Sequence, residues 1–310
     1  MKKLIAILTF CSLQASFAQT LEIQEVEELV ANYVSPLPHA LGAGLNNAWW
    51  TTAKPHKKLG FDVSLSITPI IIPDADKSFN IGNDGELTGG KTATIFGDLN
   101  EGGSVNYSGE SIDMPHGLGV GFVATPMLQA GIGLPFKTEI DVRYSPELKV
   151  KSFNLGLMGV GVKHDLLQWI PVLNKVPIDL SVVAGHTILN TGFDIQNQGM
   201  DLNVKATTVN LLLSKKVALL TAYAGVGYNH TSSNLAITLD EENESFLQDI
   251  ESITQIDLEE LKSIEFDNHT DLKVNIGARV QLTILTINAS YTITQSGYKL
   301  YTAGIGVSLR

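Results

Sequence analysis

Apolar and polar residues alternate along the C-terminal third of the chain. Between Leu272 and Leu282 the even positions are Leu272, Val274, Ile276, Ala278, Val280 and Leu282; Lys273, Asn275, Gly277, Arg279 and Gln281 lie between them. The parity then flips, with Leu285, Ile287, Ala289, Tyr291 and Ile293 apolar, and Tyr301, Ala303, Ile305, Val307 and Leu309 close the chain in the same way. A period of two predicts strands with one apolar and one wet face. The same reading places earlier strands at 59–68, 118–134, 138–144, 150–162, 176–189, 202–213 and 217–230. Pro126 removes a ladder donor inside the second of these, which predicts a bulge or bend there.

The set amounts to about ten strands, with eight to twelve as the range, most of them long enough to span a bilayer at a tilt. The predicted fold class is therefore all-β: a transmembrane antiparallel β-barrel with an N-terminal helical segment. Residues 21–40 carry Leu21, Val26, Leu29, Val30 and Tyr33 near one helical face, and Ser35-Pro36-Leu37-Pro38 reads as the stop. Residues 41–58 read as a connector, so 19–58 forms a plug or periplasmic segment at the inner mouth and 59–310 the barrel. With the N-terminus inside, long connections at 73–116, 190–200 and 231–270 fall outside. Short turns at 135–137, 215–216 and 283–284 fall inside, as in bacterial outer-membrane barrels. Residues 145–149 make a short outer loop. A two-residue hairpin must switch parity, as happens between Leu282 and Leu285.

Residues 1–18 have the form of a secretory signal: Lys2 and Lys3, an apolar run, and Ser16-Phe17-Ala18 before a cut. Cleavage would remove the only cysteine, Cys11, and move the net charge from −11 to −13. Disulfides and thiolate chemistry are then excluded, and so acidic a chain is ill suited to nucleic acid. The implied location is the cell outer membrane, with lipid and the barrel-insertion machinery as partners and a small-molecule solute to carry. Many barrels end on an aromatic residue; this chain ends Ser308-Leu309-Arg310.

Candidate chemistry follows the polar faces. By parity Asp62, Glu139, Asp141, Arg143, Asp179, Asp201, Lys205, Lys273 and Arg279 point into the lumen, either as salt-bridged filling or as a selectivity ladder. Trp169 suits an interface anchor. The recurrent Gly-X-Gly pairs, such as Gly159/Gly161, share the lumen face without a following helix, so they leave space rather than bind nucleotide. Eleven acids in 240–267 suit an amphipathic helix in a solvated outer loop. No catalytic residue set, metal site or cofactor is expected: His164 and Asp165 are neighbours on a strand and so face opposite ways.

Three stretches carry a resemblance. They are Leu45-Asn46…Trp50…Ala53-Lys54-Pro55-His56…Gly60-Phe61-Asp62, Gln129 to Pro135 with Thr138-Glu139…Arg143-Tyr144, and Gly159 to Asp165 with Trp169-Ile170-Pro171. They are similar to a domain-of-unknown-function family of exported Gram-negative proteins taken to be outer-membrane barrels. In architecture alone, the chain also resembles fatty-acid and hydrocarbon channels that combine a plug with a barrel. The family resemblance implies no activity; the charged, Gly-rich inner face and the pre-barrel helix point to a passive channel or carrier for small molecules, apolar ones among them. The alternatives are a structural or surface-interaction barrel working through its outer loops, or a barrel hydrolase.

Overall fold

The computed structural model describes residues 23–81, 87–100, 102–107, 110–150, 153–170, 176–195, 198–238 and 263–309. Two helices come first, α1 (Ile23–Val34) and α2 (Pro36–Leu45). The barrel strands are β1 (Phe61–Ile71), β7 (Phe122–Leu134), β8 (Thr138–Val150), β9 (Phe153–Asp165), β10 (Asp179–Ile195), β11 (Gln198–Val217), β12 (Leu220–Thr238), β13 (Ser263–Leu282), β14 (Leu285–Thr294) and β15 (Lys299–Leu309). Each pairs with the next in sequence, and β1 pairs with both β7 and β15, which closes a ten-stranded antiparallel barrel. Closure leaves no free edge, as a wall in lipid requires.

The outward faces carry the predicted apolar residues. Leu272 to Leu282 on β13, Leu285 to Ile293 on β14 and Tyr301 to Leu309 on β15 alternate exposed and buried, with the apolar members exposed. At ~3.3 Å per residue and a tilt near 40°, the β13 run rises about 25 Å, the height of a transmembrane barrel's apolar band. This barrel spans a membrane.

One end of the barrel, the turn end, carries tight connections. Val217 pairs with Leu220 and Leu282 with Leu285, so each loop has two residues. Ala218 (φ 53°) and Thr283 (φ 56°) take the left-handed conformation such hairpins need at their first loop position. The turn expected at 215–216 thus lies at 218–219. The opposite, loop end carries the 72–121 insertion. This holds β2 (Ser78–Asn80), β3 (Leu87–Gly89), β4 (Lys91–Ala93), β5 (Ser104–Tyr107) and β6 (Glu110–Asp113), paired as β2–β4 and β3–β5–β6.

Several elements differ from the sequence reading. Strands β10 to β13 run 17 to 20 residues, well past the apolar band, so the connection expected at 190–200 shrinks to 196–197. Residues 145–149 belong to β8 and bulge at Ser145/Leu148 instead of forming a loop. Pro126 causes no bulge: β7 pairs with β1 straight through it, at Ile67. On the other edge the β7–β8 ladder stops at Gln129↔Arg143, before it reaches Pro126. Most of the acidic segment 240–267 lies outside the described residues, as does the signal-like 1–18. Its last members, Glu265 and Asp267, sit on β13 and not on a helix. Pro36 starts α2 rather than ending a helix, because proline's fixed φ and absent N–H suit the first helical position.

Candidate functional site

The N-terminal segment fills the barrel. α1 lies at the loop end, where the Tyr33 carbonyl accepts from the Ile95 amide at 2.9 Å and the Tyr33 hydroxyl donates to the His116 carbonyl at 3.0 Å. Burial pushes the Tyr33 hydroxyl up to about 12. α2 descends into the lumen, residues 46–58 run on to the turn end, and β1 starts back up from there. The helical segment is thus threaded through the barrel to the loop end, whereas the sequence suggested the inner mouth. Small residues permit this. A Cβ on Gly44 would come within 2.6 Å of Ile70 and Thr125 on the wall, so only glycine lets the helix lie this close.

The lower end of α2 is where wall and plug meet most specifically. A helix leaves its last carbonyls without intrahelical donors and ends in partial negative charge. α2 has no basic residue in its last turn. The wall supplies the missing charge. Arg143 on β8 donates to the Leu45 and Asn47 carbonyls at 2.7 Å each, and Lys273 on β13 donates to the Asn46 carbonyl at 2.5 Å. Both cations are buried, at 1% and 2% exposure. Arg143 also covers the Trp49 ring at 3.7 Å, and Lys273 lies 5.0 Å from that of Trp50. Gly161 and Gly185, paired across β9 and β10, leave the floor on which Trp49 rests; a Cβ on either would meet its ring.

The extended part of the plug is held residue by residue. Arg279 reaches Thr51 Oγ1 at 3.1 Å, and Ser214 Oγ accepts from the Ala53 amide at 3.0 Å. The Ser181 hydroxyl donates to the Ala53 carbonyl. The His56 amide donates to Glu139 Oε2 at 2.6 Å, while Lys163 donates to Glu139 Oε1 at 2.5 Å. Ala48 adopts φ 59°, a conformation an alanine holds only where its surroundings impose it.

Of the nine residues expected inward, Glu139, Asp141, Arg143, Lys273 and Arg279 are buried in the lumen and Asp62 is partly buried there. They meet around the plug instead of lining an open passage. Asp179 stands at the turn-end mouth. Asp201 and Lys205 are exposed on the outside of β11. Above the apolar band that strand has water outside and packed protein inside. Its polar residues therefore face out, while Leu202, Val204 and Ala206 face in. Lys163 and Gln129, missed in the sequence reading, share the lumen parity of Gly161 and Gly131, and that parity was the available signal. Trp169 is 67% exposed at the turn end and donates to His164 Nε2 at 2.9 Å.

A cavity opens at each end of the barrel. One of about 930 Å³ lies in the loop-end insertion among Asp74, Lys77, Lys91, Phe96 and Asp98. The other, about 680 Å³, opens at the turn end between Lys54, Lys57, Lys58, Lys137 and Lys216, with His56 and Asp179 in its lining.

Fold and site together define a closed membrane β-barrel with an internal N-terminal plug. Residues 1–309 match the Family of unknown function (DUF6588), and the chain belongs to that family. No curated protein matches it in sequence. Among solved structures it is similar to Ail of Yersinia pestis, with 9% identity over 81% of this chain and 98% of that one and a TM-score of 0.24. For the translocator domain of the autotransporter NalP from Neisseria meningitidis the figures are 12%, 90%, 99% and 0.33. For the β domain of the Bordetella autotransporter BrkA they are 8%, 81%, 100% and 0.38. The barrel assignment rests on the chain's own closed strand order and apolar band.

Proposed function

We propose that this protein is an outer-membrane conduit held shut by its own N-terminal segment, a gated passive channel or carrier for small molecules. The loop end faces the outside, the turn end faces the periplasm, and Trp169 anchors the inner interface. The observation that carries this reading is the capping of α2 by Arg143 and Lys273. Two cations buried in a barrel wall and spent on plug carbonyls make a docking site, whereas filling alone needs only charges paired with one another. The plug is part of the same chain, so it leaves and returns without being lost.

The test is permeability. Wild-type protein in liposomes should be nearly tight to small solutes, and a variant lacking residues 23–47 should leak. A barrel that stays tight with the segment gone would refute the conduit reading.

A second reading draws on the height of β10 to β13, which lift a wall with exposed Asp201 and Lys205 and half-buried Asn203 above the apolar band. That wall, with the 72–121 insertion, is a surface for a partner. Deleting the insertion with no change in permeability but loss of cell-surface binding would favour it.

A further inference from the structure

We propose that His56, Asp62 and Glu139, with Asp141 beside them, form a site for a divalent transition metal of the zinc class that fixes the lower end of the plug to the wall. His56 belongs to the plug, Asp62 to β1 and Glu139 to β8, so three separate stretches of chain converge here. One ligand atom from each lies within 4.8 Å of the other two. His56 Nε2 is 3.2 Å from Asp62 Oδ1 and 4.0 Å from Glu139 Oε2. Ligand atoms around a tetrahedral ion at about 2.1 Å sit about 3.4 Å apart, so the spacing needs only small side-chain adjustment.

Two further observations point to a bound cation. First, the carboxylates close over a place kept empty by a glycine: Asp62 Oδ1 and Asp141 Oδ1 each lie 2.6 Å from where a Gly131 Cβ would be, and Glu139 Oε1 lies 3.5 Å from it. Second, hydrogen bonding inside the protein leaves the group incomplete. Asp141 is 1% exposed, yet its Oδ2 has no donor. A plain His56–Asp62 pair would leave that oxygen unsatisfied. Around the three carboxyl groups, Lys163 donates to Glu139, and the charges of Arg143 and Arg279 act on Asp141 and Asp62. Arg143 spends its donors on Gln129 Oε1 and the two plug carbonyls, so it gives none to Asp141 Oδ2. A divalent ion supplies a partner for the carboxylate oxygens. One imidazole among carboxylates suits zinc-class ions, whereas calcium takes oxygen ligands alone.

This inference deepens the plugged-conduit reading by naming what secures the plug, yet its test involves no permeability measurement, so the two fail separately. Tag-free full-length protein in detergent is equilibrated with Zn²⁺, dialysed, and its metal content measured. Co²⁺ replaces Zn²⁺ for a visible-absorption check of the coordination. The expected result is one zinc per chain, with affinity falling at least about tenfold in His56→Gln and in Asp62→Asn, and about tenfold in Asp141→Asn. His39→Gln, which alters a histidine stacked on His269 near the loop end, should retain zinc. Heat-modifiable gel mobility confirms that each variant is folded. Sub-stoichiometric zinc in the wild type, or undiminished zinc in folded His56→Gln, would overturn the proposal.

Discussion

The two halves of the barrel reverse each other's chemistry. At the turn end the wall has lipid outside and a charged interior; at the loop end it has polar residues outside and an apolar interior. β11 shows the change without any change of register. Asp201, Asn203 and Lys205 face out opposite inward Leu202, Val204 and Ala206; lower down, Val209, Leu211 and Leu213 face out opposite inward Thr208, Asn210 and Ser214. β13 makes the same exchange through a bulge: Ile264 and Phe266 face in above it, Asp271, Lys273 and Asn275 below. Accordingly the plug is held in two ways. In the loop-end half Val30, Tyr33, Val34 and Ala43 pack into an apolar cluster with Leu202, Val204 and Phe266. Such packing is strong but non-directional, and it tolerates sliding. Below, alongside the packing of Trp49 and Trp50, hydrogen bonds to particular atoms fix one position.

The largest break in this contrast should come from Arg143→Ala. It strands the Leu45 and Asn47 carbonyls and Gln129 Oε1 in a buried site, for a loss of about 3–5 kcal/mol of plug docking. Urea-dependent exposure of the buried tryptophans would read it. An unchanged midpoint would mean that packing in the upper half alone holds the plug.

Next is Gly185→Ala. Its methyl would sit 2.5 Å from Trp49 Cε2, an overpacking cost of about 1–3 kcal/mol. Tryptophan emission should shift at once, and an unshifted spectrum would show that Trp49 does not rest on that glycine.

The loop-end half should respond to acid. Burial first, and then the charge of His269, lowers His39 from 6.5 to about 4, with Asp267 opposing. A depressed histidine pKa favours the neutral ring in the docked state. Its contribution is therefore whole above pH 6.5 and is lost as pH falls from 6.5 towards 4, at most about 3 kcal/mol. Hydrogen exchange in α1 and α2 should quicken over that window in wild type and not in His39→Gln.

The smallest effect belongs to Lys205→Ala, within about 0.5 kcal/mol, because its ammonium stands in water outside the wall. Lys273→Ala, by contrast, should lower the urea midpoint clearly, since it strips the Asn46 carbonyl of its donor. Equal responses would place both side chains in one environment and end the comparison.

Much of the site was legible from parity alone. Glu139, Asp141, Arg143, Lys273 and Arg279 were assigned inward because each lies on the polar face of a strand whose other face is continuously apolar, and lipid enforces that division strictly. Asp201 and Lys205 escaped the same rule because β11 outruns the membrane. No local pattern marks where lipid gives way to water once both faces hold some apolar residues. Lys163 obeyed the rule and was overlooked beside the more conspicuous His164-Asp165. His56 carried no parity signal at all, since the plug has no regular period there.

The sequence by itself determined the strand periods, a count of about ten strands and the outward faces of the last three; closure fixed the number at ten. A period of two has only two ways to face, and the bilayer selects one. Only the tertiary structure decided that residues 23–58 thread the lumen and that the wall cations cap a helix instead of lining a pore. It also brought His56, Asp62 and Glu139 to one point. These outcomes depend on which strands become neighbours on closure and on what fills the space they enclose, and both are set by contacts between residues far apart in the chain.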